Sequence, residues 1–301
     1  MSVCSLAQGL RPFRAGVAVC WLLISFAALA DSTRFGADAE LARDSNVTRG
    51  PTAEDEKSDT IVSVEGYAAR SLQLGARSGI VARGGLRLAE HSTFGDLSHL
   101  TASARLIYRA QPQPGYTSPW IEAAAAVQWL RHRGSDLRDG FIGSASLGVG
   151  SYLTDRVRAS LNGGLEKRAA SEGALYDLTQ NRIWATLDYR VGLAATVYGS
   201  LTRLSGDQVF NAISVTGQGW LAPYAEVATP DPALAGEFGG VAPTGYRIEA
   251  TTLVYELGVN LPLRGNQALD ISASYFDANA DQGPGKYDGA ALRLMYMYRF
   301  R

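Results

Sequence analysis

Three histidines, His91, His99 and His132, are all the chain has. A nucleophilic hydrolase needs such a base within hydrogen-bond reach of a serine. His91 stands next to Ser92, but neighbours along a strand face opposite ways, so these two cannot pair directly. His132 sits in Arg131-His132-Arg133, which reads as a solvated loop. His99 falls on the polar side of a strand pattern. A lipid-modifying hydrolase would have to use one of the three, and no catalytic residue is assigned. Metal ligation requires clustered His, Cys or carboxylates, and the sequence spacing offers no such cluster. Glu54-Asp55-Glu56 and Asp277 to Asp281 suit weak Ca²⁺ contact or divalent cations among lipopolysaccharides. No cofactor is implied.

What remains is charge placed at alternate positions. Glu65, Arg83, Arg87, His99, Arg105, Glu122, Arg158, Glu166, Glu256, Asp270 and Arg293 each lie on the polar face of an alternating segment. Such a face must meet water or a partner of opposite sign. Two outcomes stay open: rows of charge lining a water-filled pore and setting its ion preference, or ladders of ion pairs filling a narrow lumen. The mixed signs argue against a strongly ion-selective pore.

The elements that must hold these residues are strands. In the last segment Ala290, Leu292, Leu294, Tyr296, Tyr298 and Phe300 alternate with Ala291, Arg293, Met295, Met297 and Arg299. Upstream, Leu253 to Leu261, Leu269 to Tyr275, Ile183 to Tyr189, Val191 to Leu201, Val157 to Leu165, Phe141 to Val149, Ile121 to Trp129, Leu100 to Tyr108, Ile80 to Leu88, Val62 to Ala68 and Phe35 to Leu41 repeat the period of two. The apolar side is rich in Ala, Leu and Val and carries Tyr108, Trp129, Tyr189, Tyr255, Tyr275, Tyr296, Tyr298 and Phe300, residues suited to a membrane–water interface. A soluble sandwich would have to bury one face, and the other face is too charged to be an unpaired interior. Turned inside out, the pattern is an all-β, transmembrane, antiparallel up-and-down barrel of about twelve strands.

Connections support this count. Leu153 to Arg156, Asp188 to Val191 and Pro262 to Asn266 read as tight turns. The alternate connections, 43–60, 90–96, 132–139, 168–179, 205–245 and 277–287, are longer and more polar. The longest, 205–245, contains Val209 to Val215 and Trp220 to Val227; a hairpin there would raise the barrel to fourteen strands. The preferred reading keeps twelve and makes 205–245 an external flap or a fold into the mouth. Its Phe210, Trp220, Tyr224 and Phe238 read as exposed.

Residues 1–30 read as a cleaved signal peptide. Arg11 and Arg14 precede the apolar run Ala15 to Ala27, and Ala28-Leu29-Ala30 supplies small residues for cleavage. Lipoprotein processing at Cys20 fits poorly, because Val19 precedes it and the apolar run continues past it. Cleavage would remove both cysteines, Cys4 and Cys20, and leave residues 31–301 as the barrel, with 26 basic against 29 acidic residues. That balance gives no basis for nucleic-acid binding. No later run is apolar enough for a transmembrane helix.

Arg43-Asp44-Ser45-Asn46-Val47-Thr48-Arg49, followed by a polar loop and a strand from Asp59-Thr60-Ile61, resembles the opening of several proteobacterial outer-membrane barrels. These include the barrel domain of the surface lipoprotein assembly modifiers. Tyr296-Met297-Tyr298-Arg299-Phe300 is similar to the terminal signal read by the barrel assembly machinery, although Arg301 trails it. The resemblance implies the bacterial outer membrane, with lipid, lipopolysaccharide and that machinery as partners. The helical periplasmic repeats of the assembly modifiers have no counterpart in this sequence, so a translocation role is not carried over.

The resulting expectation is a passive pore or minor transport channel. A non-conducting barrel working through its external loops is the alternative.

Overall fold

The computed structural model describes residues 33–192, 195–213 and 221–300. The expected signal peptide, Leu193, Val215 and Trp220 lie outside the described residues. Thirteen strands appear in chain order: β1 (Thr33–Asp44), β2 (Asp59–Gly75), β3 (Ser78–His91), β4 (His99–Ala110), β5 (Trp120–His132), β6 (Gly140–Tyr152), β7 (Val157–Ala170), β8 (Leu178–Val191), β9 (Ala195–Ala212), β10 (Val227–Pro230), β11 (Thr244–Pro262), β12 (Gln267–Ala280) and β13 (Lys286–Arg299). Twelve of them form the wall. Each pairs antiparallel with its neighbour, and β1 pairs with β13 from Gly36↔Arg299 to Asp44↔Ala291, which closes the ring. Closure leaves no edge in the twelve-stranded wall, as a membrane-spanning sheet requires.

The fourteen-strand alternative is corrected. β9 pairs directly with β11 from Ala212↔Thr244 to Thr196↔Asn260. β10 is a short extra strand on the start of β11 alone, from Val227↔Arg247 to Pro230↔Thr244. The long connection is therefore 213–243, because β9 and β11 absorb both ends of the expected loop. The turn expected at Asp188 to Val191 also moves: those residues finish β8, and their register with β9 continues to Val191↔Ala195.

Period-2 alternation places the apolar face outward. Leu147, Leu257 and Leu292 are 67%, 64% and 63% exposed. So many exposed large apolar side chains around a closed wall are a lipid-facing surface. No described helix is long and apolar enough to cross a membrane. Tyr108, Tyr189, Tyr296, Tyr298 and Phe300 project outward toward the end where β1 begins and β13 ends, called here the turn end. Trp129 projects outward nearer the opposite, long-loop end, and the register partners Tyr255 and Tyr275 project outward at mid-height.

Candidate functional site

Inside the wall, the predicted charges separate into paired and unpaired groups. On β1–β3, Arg83 Nη2 donates to Glu65 Oε1 at 2.8 Å and to Asp38 Oδ2 at 3.3 Å. Its guanidinium lies 3.8 Å from the centre of the Tyr67 ring. Tyr67 can lie flat there because its neighbour on β1 is Gly36, where a β-carbon would collide with the ring. Arg87 donates to Glu40 Oε1 at 2.7 Å.

Next around the wall, on the other side of the β1–β13 seam, Arg293 on β13 reaches Glu256 Oε1 at 3.3 Å and Asp270 Oδ1 at 3.4 Å. Tyr198 donates to the same Asp270 oxygen at 2.9 Å and lies over Gly258, which likewise has no room for a β-carbon. Toward the turn end, Arg109 pairs with Glu122 at 2.6 Å and Arg158 with Asp188 at 2.5 Å. Several of these bonds join strands that are not neighbours, so they act as struts inside the barrel.

Arg105 and Glu166 behave differently, and so does Arg182, which the sequence reading did not single out. None of the three makes a hydrogen bond or ion pair among the described residues. Arg182 rests against Trp184, 4.9 Å from its ring centre. Arg105 and Arg182 are exposed although both point inward, which marks a water-accessible lumen. They line one cavity of about 420 Å³ together with Glu65, Arg83, Gln128 and Glu166. Its floor is made of small inward residues on β5–β7: Ala124, Ala126, Ser144, Ser146 and Gly164. A second cavity of about 420 Å³ adjoins it, sharing Glu166, Arg182 and Trp184 and extending to Tyr198 and Glu256.

The long-loop end is built in the opposite way. The inward faces of β9, β11, β12 and β13 turn apolar there. Phe210, Tyr246, Ile248, Ala250, Phe276, Ala278 and Tyr287 form a buried core with Leu221 from the long connection. Farther along, Ala233 and Leu234 pack on Phe94 and Leu97 of the β3–β4 loop, with Val47 and Phe238 beside them. In a ring of twelve strands, the β9–β11 connection and the β3–β4 loop stand on opposite sides. The segment 221–243 therefore spans the mouth as a lid.

A buried ion pair fastens the lid midway. Asp231, 0% exposed, accepts from Arg138 Nε at 2.9 Å and from the Tyr176 hydroxyl at 2.6 Å. Arg138 comes from the β5–β6 loop and Tyr176 from the β7–β8 loop. Burial pushes the Tyr176 phenol well above its ordinary range, so it stays a donor to Asp231. Ala233 N–H caps the other carboxylate oxygen at 3.2 Å.

The lid reading of 205–245 needs one correction: Phe210 is fully buried in the wall core, not exposed. Phe238 is only partly buried, and Tyr224 is 42% exposed.

All three histidines meet beneath this end, in a row on β3, β4 and β5. Ring centres lie 6.2 Å apart for His91 and His99, and 5.0 Å apart for His99 and His132. His132 is not a solvated loop residue. It ends β5, its side chain is 7% exposed, and it pairs with His99 in the ladder. Nδ1 of His91 lies 2.9 Å from Asp59, and Nδ1 of His132 lies 3.2 Å from Asp139. Ser92 donates to the same Asp59 at 2.8 Å, so His91 and Ser92 share a carboxylate without touching. Asp59 also accepts from the Thr93 and Phe94 N–H groups, which makes it the organiser of the β3–β4 loop. Among the described residues, no group of three or more His, Cys, Asp or Glu is arranged to hold a metal ion. Asp55 is buried, and accepts from Thr52 and from the Ile213 N–H that begins the long connection.

The Asp44 to Arg49 segment is accounted for by its own loop. Asp44 accepts from the Asn46 N–H and from Arg49, and the Asn46 side chain bonds Gly50 and reaches Asp288 O on β13 at 2.9 Å. Asn211 donates to Thr48 O, tying the same loop to the end of β9. Arg49 takes a left-handed conformation, φ 55°, to make this turn.

No protein-family model and no curated protein matches the sequence. Solved structures match its fold. An outer-membrane channel from Pseudomonas putida F1 superposes with a TM-score of 0.57 over 89% of this chain and 95% of that one, at 12% identity. The NanC porin gives a TM-score of 0.47 over 88% of this chain and 100% of that one, at 9% identity. The KdgM porin gives 0.44 over 88% and 99%, at 8% identity. The first of these likenesses carries the fold: a closed antiparallel β-barrel like that of the outer-membrane channel.

Proposed function

We propose that this chain is a bacterial outer-membrane channel for small solutes, with its mouth closed by the 221–243 lid in the state described. The observation that carries the reading is the wet, charged lumen below the lid, where Arg105 and Arg182 point inward and remain exposed. In a barrel filled with structural side chains, such guanidiniums would be paired, as Arg83 and Arg293 are. In this reading the chain is exported after removal of residues 1–30 and inserted by the barrel assembly machinery. The turn end faces the periplasm, and the long loops face outward among lipopolysaccharide.

The test is single-channel conductance of the refolded chain, residues 31–301, beside a variant in which a short Gly-Ser linker replaces residues 221–243. The expected result is rare or small steps for the full chain and stable open steps for the variant. Silence from both, with both demonstrably folded, would overturn the channel reading.

The sealed mouth favours one other reading, a non-conducting barrel whose loops bind a surface partner. Conductance of the lid variant separates the two.

A further inference from the structure

Within the channel reading, we infer that the hollow between Arg105 and Arg182 is a binding site for a small organic carboxylate that also carries hydrogen-bond donors. The inference rests on that reading for its biological meaning, but the binding itself does not require conduction.

The placement of charge makes the case. Arg105 on β4 stands directly across the ladder from Arg83 on β3, and its partner on β5 is Ala126. Like charges opposed on one face are unfavourable. Arg83 is neutralised by two carboxylates, whereas Arg105 has none. Nothing among the described residues accepts from its donors. Arg182 is in the same condition on β8, with Gly164 as its partner on β7 and the Trp184 ring beside it. Between them the wall recedes, because β5 and β6 present Ala124, Ala126, Ser144 and Ser146 at these levels, and β7 presents Gly164 opposite Arg182 and Glu166 in the row of Arg105.

The result is a water-filled recess of about 420 Å³, the size of a small-ligand pocket, with unpaired guanidinium forks on two sides. A guanidinium matches a carboxylate in planar, two-point hydrogen bonding, which a simple halide ion cannot exploit.

Glu166 restricts the ligand further. It shares the recess, makes no hydrogen bond or ion pair among the described residues, and would repel a plain anion. It accepts hydrogen bonds only, so it suits a hydroxyl or ammonium group on the same molecule. The Ser144 and Ser146 hydroxyls and the Gln128 amide complete a polar lining. The shared chemistry is a carboxylate at one end and donors at the other, as in a hydroxy acid or an amino acid.

The experiment is calorimetric titration of the folded, detergent-solubilised chain with three sodium-salt or zwitterionic probes: gluconate, alanine and propionate. Bilayer conductance is recorded on the same preparations. Gluconate supplies hydroxyl donors, alanine an ammonium, and propionate neither. Saturable binding of gluconate or alanine, with propionate at least tenfold weaker, is the expected result, and the stronger of the two names the source of the donors. R105Q and R182Q should each weaken that binding about tenfold, the scale of one charge-assisted hydrogen-bond pair. Both arginines are exposed and unpaired, so both variants should stay folded, which heat-modifiable gel mobility checks. E166Q should narrow the gap between propionate and the preferred probe.

Absence of saturable binding by all three probes, or unchanged affinity in both arginine variants, overturns the site. Equal binding of propionate overturns the ligand class. Open steps without carboxylate binding would sink the site and leave the channel standing. Binding with silence from the full chain and the lid variant would do the reverse.

Discussion

The mouth and the middle of this barrel solve the same problem in opposite ways. Both must dispose of arginines that point into the lumen. At the mouth, Arg138 is drawn out of water, clamped by the fully buried Asp231 and stacked 4.6 Å from the Tyr176 ring centre. In the middle, Arg105 is left exposed with no hydrogen-bond or ion-pair partner among the described residues. A buried charge is tolerable only with its counter-charge, so the mouth is a fixed joint. A solvated charge needs nothing from the fold, so the middle is free for something else to occupy.

The contrast can be broken from the mouth inward. D231A leaves Arg138 buried and unpaired, which should cost roughly 3–5 kcal/mol of lid docking. Limited proteolysis of intact barrels should then cut within 221–243 at rates the parent chain does not show, while heat-modifiability persists. L234A removes a fully buried side chain that holds the lid to Phe94 and Leu97. The expected cost is about 2–4 kcal/mol, read as lost hydrogen-exchange protection in the lid and the β3–β4 loop.

Farther in, R293Q removes a partly exposed strut. Its pairs with Glu256 and Asp270 are long and half in water, so the loss should be near 1 kcal/mol, seen as a small drop in the denaturant midpoint. R105Q should change stability by less than about 0.5 kcal/mol. Its effect should appear in the reversal potential across a salt gradient, shifted toward cations. A large stability loss in R105Q would erase the distinction between the two regions.

The period of two made the strands legible, and with them the side of the wall on which each charge falls. Glu65, Arg83, Arg105 and Glu166 face one lumen cavity because alternation leaves them nowhere else to point. Which charges pair was not legible. Arg83 reaches Asp38 two strands away, and the Arg293 cluster gathers β9, β11, β12 and β13, so those contacts depend on curvature and register. Arg182 was passed over although it fits the same pattern; its spacing from Trp184 and Thr186 was the available signal.

The capped mouth was half legible. A long Gly- and Pro-rich connection suggested a flap. The apolar inward positions that receive it, Phe210, Ile248, Phe276 and Tyr287, occur on four different strands and signal a core only once those strands are aligned. The same holds for the histidines. His99 and His132 become neighbours through the β4–β5 register, which sequence spacing alone does not set.

The loop that begins at Asp44 has a consequence for how the barrel comes to exist. Asn46 reaches Asp288 across 242 residues of sequence, and Ser45 bonds Ala290 across 245. These bonds straddle the seam between first and last strands, the pairing whose chain-closure entropy is greatest and whose formation is slowest on topological grounds. The loop from Asp44 to Arg49 thus stands as a latch across the seam that closes the ring. Its residues bear on the time a nascent barrel spends open, with two raw strand edges exposed, more than on the strength of the finished wall.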